Sequence, residues 1–405
     1  MKTISIIPSK SDAHRALIAA ALSGDPCEVI CEAASRDIEA TSGCLAAIAE
    51  AKATGAKAMM DAGESGSTLR FLLPVVGALG IRGSFALQGR LAKRPLSPLY
   101  EALKEHGMRL SRQGVSPLSF SGHLKSGAYA LPGNVSSQFI TGLLFALPIL
   151  PGDSTLTVTG RLESAGYVDM TLRTLDRFGI RVERVMGNMG TVYEIPGGQR
   201  YQAPADYRVE GDWSNAAFWL AAGAIGKETV AVTGLSASSA QGDKEILDLL
   251  RRFGAEVEQG EDRVTVHPAG GRLTGIEIDA GGIPDLVPVL SLVASVAKGE
   301  TLIRGAGRLR AKESDRLTAI HEVLGSLGAE VEEMPDALLI RGKERLTGGA
   351  ADSVNDHRIA MMAAIASLVT EGPVTLTGWE AASKSYPSFY EVLRENDLDR
   401  NLILK

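Results

Sequence analysis

The chain has 405 residues, 45% hydrophobic and 22% charged, with a net charge of -6; it is longer than one core usually fills, so two domains are expected. An acidic chain without a basic stripe interleaved with aromatics is not built for nucleic acid. The longest apolar run, residues 139–150, contains Pro148 and falls short of the ~20 residues of a membrane span, while Lys10, Asp12, His14 and Arg15 interrupt any secretory core, so no membrane partner and a cytoplasmic location are expected.

In chain order, an opening strand at residues 3–8 precedes a pattern that occurs six times: a polar or acidic cap, an apolar run at helical spacing, a glycine and a short β-rich strand. The copies begin at Lys10-Ser11-Asp12, Ser65-Gly66-Ser67, Ser136-Ser137-Gln138, Asp212-Trp213-Ser214, Pro284-Asp285 and Asn355-Asp356-His357. Their glycines are Gly24, Gly83, Gly152, Gly226, Gly299 and Gly372, at intervals of 59, 69, 74, 73 and 73 residues, which marks an internal repeat. A second helix closing on a glycine follows in several units, most clearly at Phe178-Gly179, Phe253-Gly254 and Leu327-Gly328, and more loosely at His106-Gly107. In the first, shortened unit this helix is placed near residues 37–51.

Each unit thus reads as helix, strand, helix, strand, strand, an α/β pattern, and three units per domain is the natural division. Residues 10–209 form the expected first domain and residues 1–9 with 210–405 the second, with crossings near 8–10 and 208–211. The last unit stops after a helix at 386–396, so the strand at 3–8 is expected to complete it. Cys27, Cys31 and Cys44 lack paired spacing and read as reduced thiols. No H-E-x-x-H or Cys/His spacing occurs, and Gly305-Ala306-Gly307 is followed by Arg310 where a dinucleotide loop has its last glycine. Neither a metal nor a cofactor is expected.

A helix start offers free N–H groups and the positive end of a dipole, and anions bind there. Caps that only ended helices would resemble one another, yet the first carries Lys10 and Arg15, the fifth Asp285, and the sixth Asp356-His357-Arg358. The second helix starts differ likewise: Arg94, then Ser164 with Tyr167, then Lys312-Glu313-Ser314-Asp315-Arg316, then Lys384. Each cation at such a place is disfavoured by roughly 0.3–1 kcal/mol, which a bound anion would reverse. The run from Lys312 to Arg316 could alone be a solvated face with i,i+3 pairs; cations at the matching stations of other units favour an anion pocket instead. Asp285 and Glu313 among those cations are candidates for general base and acid.

Six motifs then resemble one family: Pro8-Ser9-Lys10-Ser11 with Arg15, Gly63-Glu64-Ser65-Gly66-Ser67-Thr68-Leu69-Arg70, Arg94-Pro95-Leu96, Ser136-Ser137-Gln138-Phe139, Lys312-Glu313-Ser314-Asp315-Arg316 and Asn355-Asp356-His357-Arg358 look like those of the 5-enolpyruvylshikimate-3-phosphate synthases. The resemblance spans the chain. It implies a two-domain inverse α/β barrel of six βαβαββ units, a site in the cleft between domains, and a monomer. The implied reaction moves the enolpyruvyl group of phosphoenolpyruvate to the 5-hydroxyl of shikimate 3-phosphate, in aromatic amino acid biosynthesis, and releases phosphate.

By motif, Lys10, Gly66, Arg94, Gln138, Arg316, Arg358 and Lys384 are expected around phosphoenolpyruvate. Lys10, Ser11, Arg15, Ser136, Ser137, Ser164, Tyr167, Asp285 and Lys312 are expected around shikimate 3-phosphate. The resemblance implies that Asp285 takes the hydroxyl proton and that Glu313 protonates the methylene carbon, with Lys10 a third candidate whose share in these transfers it leaves open. Ser9, Glu64 and Arg308 depart from the family's usual glycine and asparagines, and the last puts one shikimate contact in doubt. The resemblance also implies closure of the domains on their anions and inhibition by glyphosate. Two other readings are a transferase acting on a UDP-N-acetylhexosamine and a non-catalytic repeat scaffold for phosphorylated partners. Against the first, residues 88–93 hold no cysteine and serine follows Lys10; the second leaves Asp285 and Glu313 without purpose.

Overall fold

The computed structural model describes residues 1–32 and 35–405. The chain forms two compact units, Lys10–Val209 and Met1–Ser9 with Glu210–Lys405. Among the described residues no helix is long and apolar enough to cross a membrane.

In the Lys10–Val209 unit, strand Ala58–Asp61 runs parallel to Gly83–Ala86 across helix Gly66–Ala78, and helix Leu99–Glu105 leads to the hairpin Met108–Leu110 and Leu118–Gly122. Strands Ala128–Pro132, Ser154–Thr159, Glu183–Gly187 and Gly190–Ile195 repeat this order around helices Ser137–Ala146 and Ala165–Arg177. The first repeat is abbreviated. Helices Lys10–Ser23 and Arg36–Thr54 flank strand Glu28–Ile30, whose parallel partner Asp206–Arg208 comes from the far end of the unit. The mixed α/β architecture is an inverse α/β barrel: helices Gly66–Ala78 and Ser137–Ala146 are apolar nearly all round and almost wholly buried, as helices enclosed by sheets must be.

Close approach of those two helices depends on one glycine. A Cβ at Gly142 would strike the carbonyl oxygen of Arg70 and the ring of Pro74. Pro74 has no N–H to offer that carbonyl four residues back, so the helix backbone there is laid open to its neighbour. Leu72, Leu73, Phe139, Leu143 and Phe145 fill the surrounding core, each burial stabilising by about 1.5–3 kcal/mol. A large side chain at Gly142 would part the helices and forfeit much of this packing.

The second unit shows the complete repeat twice. Strand Lys2–Ser5 pairs in parallel with Val230–Thr233, helix Trp213–Ile225 lies in the same repeat, and helix Ile246–Phe253 leads into the hairpin Glu256–Gln259 and Arg263–His267. The opening strand thus begins the fourth repeat and does not complete the last one as expected. The last repeat, with strands Gly349–Asp352 and Val374–Thr377, is closed by the C-terminal strand Leu402–Leu404, a short segment the glycine-based reading passed over. Between them lie strands Glu277–Asp279, Glu300–Arg304, Glu330–Glu333 and Ala337–Arg341 with helices Val287–Ser295 and Arg316–Ser326.

Candidate active site

In the Lys10–Val209 unit the sequence-derived residues fall into two groups. Lys10 is the first residue of its helix, so Lys10-Ser11-Asp12 is the first turn and not a cap preceding it. Its ammonium lies 3.0 Å from Asp37 Oδ2. Arg15, one turn on, is buried: Nε donates to Thr171 Oγ1 at 2.9 Å, Nη1 to the carbonyl of Ser11 at 2.5 Å and Nη2 to the carbonyl of Tyr167 at 2.8 Å. It therefore ties the Lys10 helix to helix Ala165–Arg177, and burial pushes its pKa down to about 10 against the pull of Asp12. Ser164 caps the latter helix in a left-handed conformation, φ 55°, a backbone state that costs a non-glycine residue of order 1–3 kcal/mol and often marks a functional position.

The second group surrounds Gly66, which opens a helix capped by Ser65. Nη1 of Arg70 and Nη1 of Arg94 both lie 2.8 Å from where a Cβ at Gly66 would be, so two guanidinium groups converge on one helix start. Burial and the neighbouring Arg94 hold Arg70 well below the usual arginine range, because both disfavour its charged form. Gln138 completes the group by accepting from Arg70 Nη1 at 2.7 Å and donating to Ser67 Oγ at 2.9 Å. Ser136 caps helix Ser137–Ala146 by accepting from Gln138 N, and Ser137 is buried in its first turn.

In the other unit Asp285 is the hub. It does not cap helix Val287–Ser295, which starts after Leu286 without a side-chain cap; Pro284 and Pro288 flank a turn that leaves the carboxylate facing cations. Arg316 Nη1 donates to its Oδ1 at 2.7 Å, Lys312 Nζ stands 3.5 Å from the same oxygen, and Arg358 Nη2 lies 3.7 Å from Oδ2. Burial alone would push this carboxyl up, but Lys312, Arg358 and Arg316 outweigh it and hold it well below the usual range. Asp285 is therefore an ionised carboxylate with a fifth of its side chain open to solvent.

Asp356 supports the hub from below. Fully buried, it accepts from Arg316 Nε at 2.8 Å, Ser314 Oγ at 3.0 Å and, as the cap of helix His357–Ala366, Arg358 N at 2.9 Å. Glu313 Oε2 meets His357 Nδ1 at 2.7 Å. Lys384 Nζ donates at 2.6 Å to the carbonyl of Asn355, a residue at φ 58°. Glu313, Asp356 and His357 could bring ligand atoms to one cation, although Asp356 already serves Arg316.

Arg94, Lys312 and Lys384 do not stand at helix starts as expected. Each ends or follows a short 3₁₀ turn, Leu91–Lys93, Gly307–Ala311 or Trp379–Lys384. Pro95, Pro98 and Pro387, and the Asp315 cap, delay the helices to Leu99, Phe389 and Arg316. Of the expected site cations, Lys10, Arg316 and Arg358 stand at or next to the first helical residue.

The family profile of EPSP synthase (3-phosphoshikimate 1-carboxyvinyltransferase) matches residues 1–393. The chain belongs to this family. It is 44% identical over 407 residues to the 3-phosphoshikimate 1-carboxyvinyltransferase of Clostridium kluyveri, covering 96% of this chain and 94% of that one. Against the enzyme of the same name from Clostridium acetobutylicum it is 44% identical over 412 residues, with 97% and 94% covered. The solved EPSP synthase of Acinetobacter baumannii superposes with a TM-score of 0.75 at 25% identity, covering 97% of this chain and 95% of that chain. The enolpyruvyl transferase NikO of Streptomyces tendae, at 19% identity and TM-score 0.74 over 98% and 94% of the chains, shares the fold.

Several supporting residues escape a reading of the family motifs as contact residues. Arg70, Asp356 and His357 lie inside motifs, and Arg70 stands one helical turn from Gly66, so spacing alone could have found it. Asp37 pairs with Lys10 across 27 positions, and Ser214 meets Arg358 across 144, distances that no local pattern spans. Arg308 donates to the carbonyl of Gly281 at 2.7 Å, and Ser9 to Gln241 Oε1 at 3.2 Å.

Proposed function

We propose that the two cationic groups, one on each unit, together hold the substrates of the family's reaction, and that each unit is one enolpyruvyl-transferase domain. The chain is a transferase that moves the carboxyvinyl group of phosphoenolpyruvate to shikimate 3-phosphate in aromatic amino acid biosynthesis. Lys10, Gly66, Arg94, Gln138, Arg316, Arg358 and Lys384 hold phosphoenolpyruvate; Lys10, Ser11, Arg15, Ser136, Ser137, Ser164, Tyr167, Asp285 and Lys312 hold shikimate 3-phosphate. The observation that carries this reading is an ionised carboxylate, Asp285, fixed by Arg316 and flanked by Lys312 and Arg358, in the same unit as a second carboxyl, Glu313, held on His357.

The steps follow from those groups. Glu313 gives a proton to the methylene carbon of phosphoenolpyruvate, the 5-hydroxyl oxygen attacks C2, and Asp285 takes the hydroxyl proton. The tetrahedral adduct then breaks its C–O bond to phosphate and returns one methyl proton. Cations around the carboxylate and phosphate stabilise the charge that shifts onto the leaving group. Turnover in deuterated water tests this: the product's vinyl group should carry deuterium, and Glu313→Gln should lose both turnover and incorporation. Product formed without deuterium would refute protonation at carbon. The same reading carries a monomer acting in the cytoplasm, which sedimentation and fractionation would check.

A further inference from the structure

Arg358 is held from two directions. Nη2 faces Asp285 Oδ2 at 3.7 Å, and Nη1 donates to the carbonyl oxygen of Ser214 at 2.9 Å. Ser214 lies in the first turn of helix Trp213–Ile225, capped by Asp212. Its hydroxyl donates to Asp243 Oδ2, in the short turn Gly242–Glu245. Gln241, just before that turn, accepts from Trp213 N at 3.0 Å, which clips the turn to the helix start.

Asp243 is 1% exposed, and no step above uses it. Burial and the nearby Asp285 push its carboxyl up to about 6, Arg358 and the Ser214 hydroxyl pull it down, and Asp212 raises it further. A buried carboxylate beside a site for anionic substrates costs both stability and affinity. Its place behind Arg358 points to what it supplies.

We propose that Asp243 is a positioning residue for carboxyvinyl transfer, fixing Arg358 through Ser214 and offsetting one of the positive charges around Asp285. The inference rests on the function proposed above. Cations that bind an anion also draw protons off Asp285 and make it a weaker base. The negative charge of Asp243 limits that loss of basicity, and it weakens the pull of the same cations on an incoming phosphate or carboxylate. One side chain therefore trades affinity against proton transfer.

Asp243→Asn keeps the shape and an oxygen for Ser214 while removing the charge. Measured at saturating shikimate 3-phosphate, KM for phosphoenolpyruvate should fall roughly three- to tenfold and kcat about tenfold, the scale of a one-unit pKa change, with Tm not reduced. Ser214→Ala removes a hydrogen bond that favours the charged carboxyl, so it should move both constants the same way and serves if the first variant does not fold. Unchanged constants in a folded variant, or a lower kcat with an equal or higher KM, would overturn the proposal, since a purely structural role lowers Tm and kcat without tightening KM. If the wild type does not turn these substrates over, the functional reading fails on its own. Calorimetry with inorganic phosphate then still reads the charge: tighter binding to Asp243→Asn supports the inference, and equal binding overturns it.

Discussion

Replacing Gly66 by alanine separates site from fold. Gly66 is the first residue of helix Gly66–Ala78 and is not among the glycines at positive φ, so alanine suits the backbone and could add up to about 1 kcal/mol of stability. The new methyl carbon, however, would sit 2.8 Å from Nη1 of both Arg70 and Arg94, against 3.4 Å or more for ordinary contact. These are ends of flexible side chains, so they yield and the helix does not. Arg70 is tethered to Gln138 Oε1 and to the carbonyl of Pro95, and its displacement drags Gln138 with it. A charge-assisted hydrogen bond contributes about 1.5–3 kcal/mol; halving two of them loses about 1.5–3 kcal/mol, or roughly 10- to 150-fold in affinity. Steady-state kinetics should show KM for phosphoenolpyruvate raised by about that factor, with Tm unchanged or higher. An unchanged KM, or a loss of several degrees in Tm, would refute the placement of these guanidinium groups at the anion site.

Asp285→Ala should lower kcat by about 10²–10⁴ while phosphoenolpyruvate binding, by calorimetry, is kept or tightened, because Lys312, Arg316 and Arg358 retain their charge; retained turnover would remove Asp285 from proton transfer. Arg316→Met takes from buried Asp356 the cation that both of its oxygens meet, and urea unfolding should show a loss of about 3–5 kcal/mol, with a loss under about 1 kcal/mol contradicting the pairing. For pH, the signs oppose. Cations hold Asp285 and Asp356 below their ordinary range, so their contribution is present above about pH 4 and fades as pH falls. Asp243, raised to about 6, instead costs stability as pH climbs from about 4 through 6, by at most about 3 kcal/mol. Asp243→Asn should match the wild type in urea near pH 4 and exceed it at pH 7.5, and a gap independent of pH would contradict the shift.

Much of the fold is legible in the glycine rhythm because its glycines fall between a helix and the strand that follows: Gly24 and Gly226 come directly after their helices, Gly83 opens its strand, and Gly152, Gly299 and Gly372 lie in the connections. The partner of a strand is not local. The opening strand carries no mark that it belongs beside Val230–Thr233, and Leu402–Leu404 is too short to stand out, so the sequence-based pairing of the last repeat went wrong. Asp285 stands out in the sequence as an acid among cations but looks like a cap, since Pro-Asp before an apolar run is what a cap resembles; the helix start after Leu286 and the hydrogen bond from Arg316 show otherwise. Charge partners such as Asp37, Asp356 and Asp243 are fixed by packing of distant helix starts, and a single chain's spacing is silent about them.

The most direct measurement is phosphate release from phosphoenolpyruvate by the purified wild-type chain with each acceptor in turn. Sustained release with shikimate 3-phosphate, and none with a UDP-N-acetylhexosamine or with no acceptor, is the predicted result. Release that requires the UDP-sugar, or no release with shikimate 3-phosphate, would contradict the account.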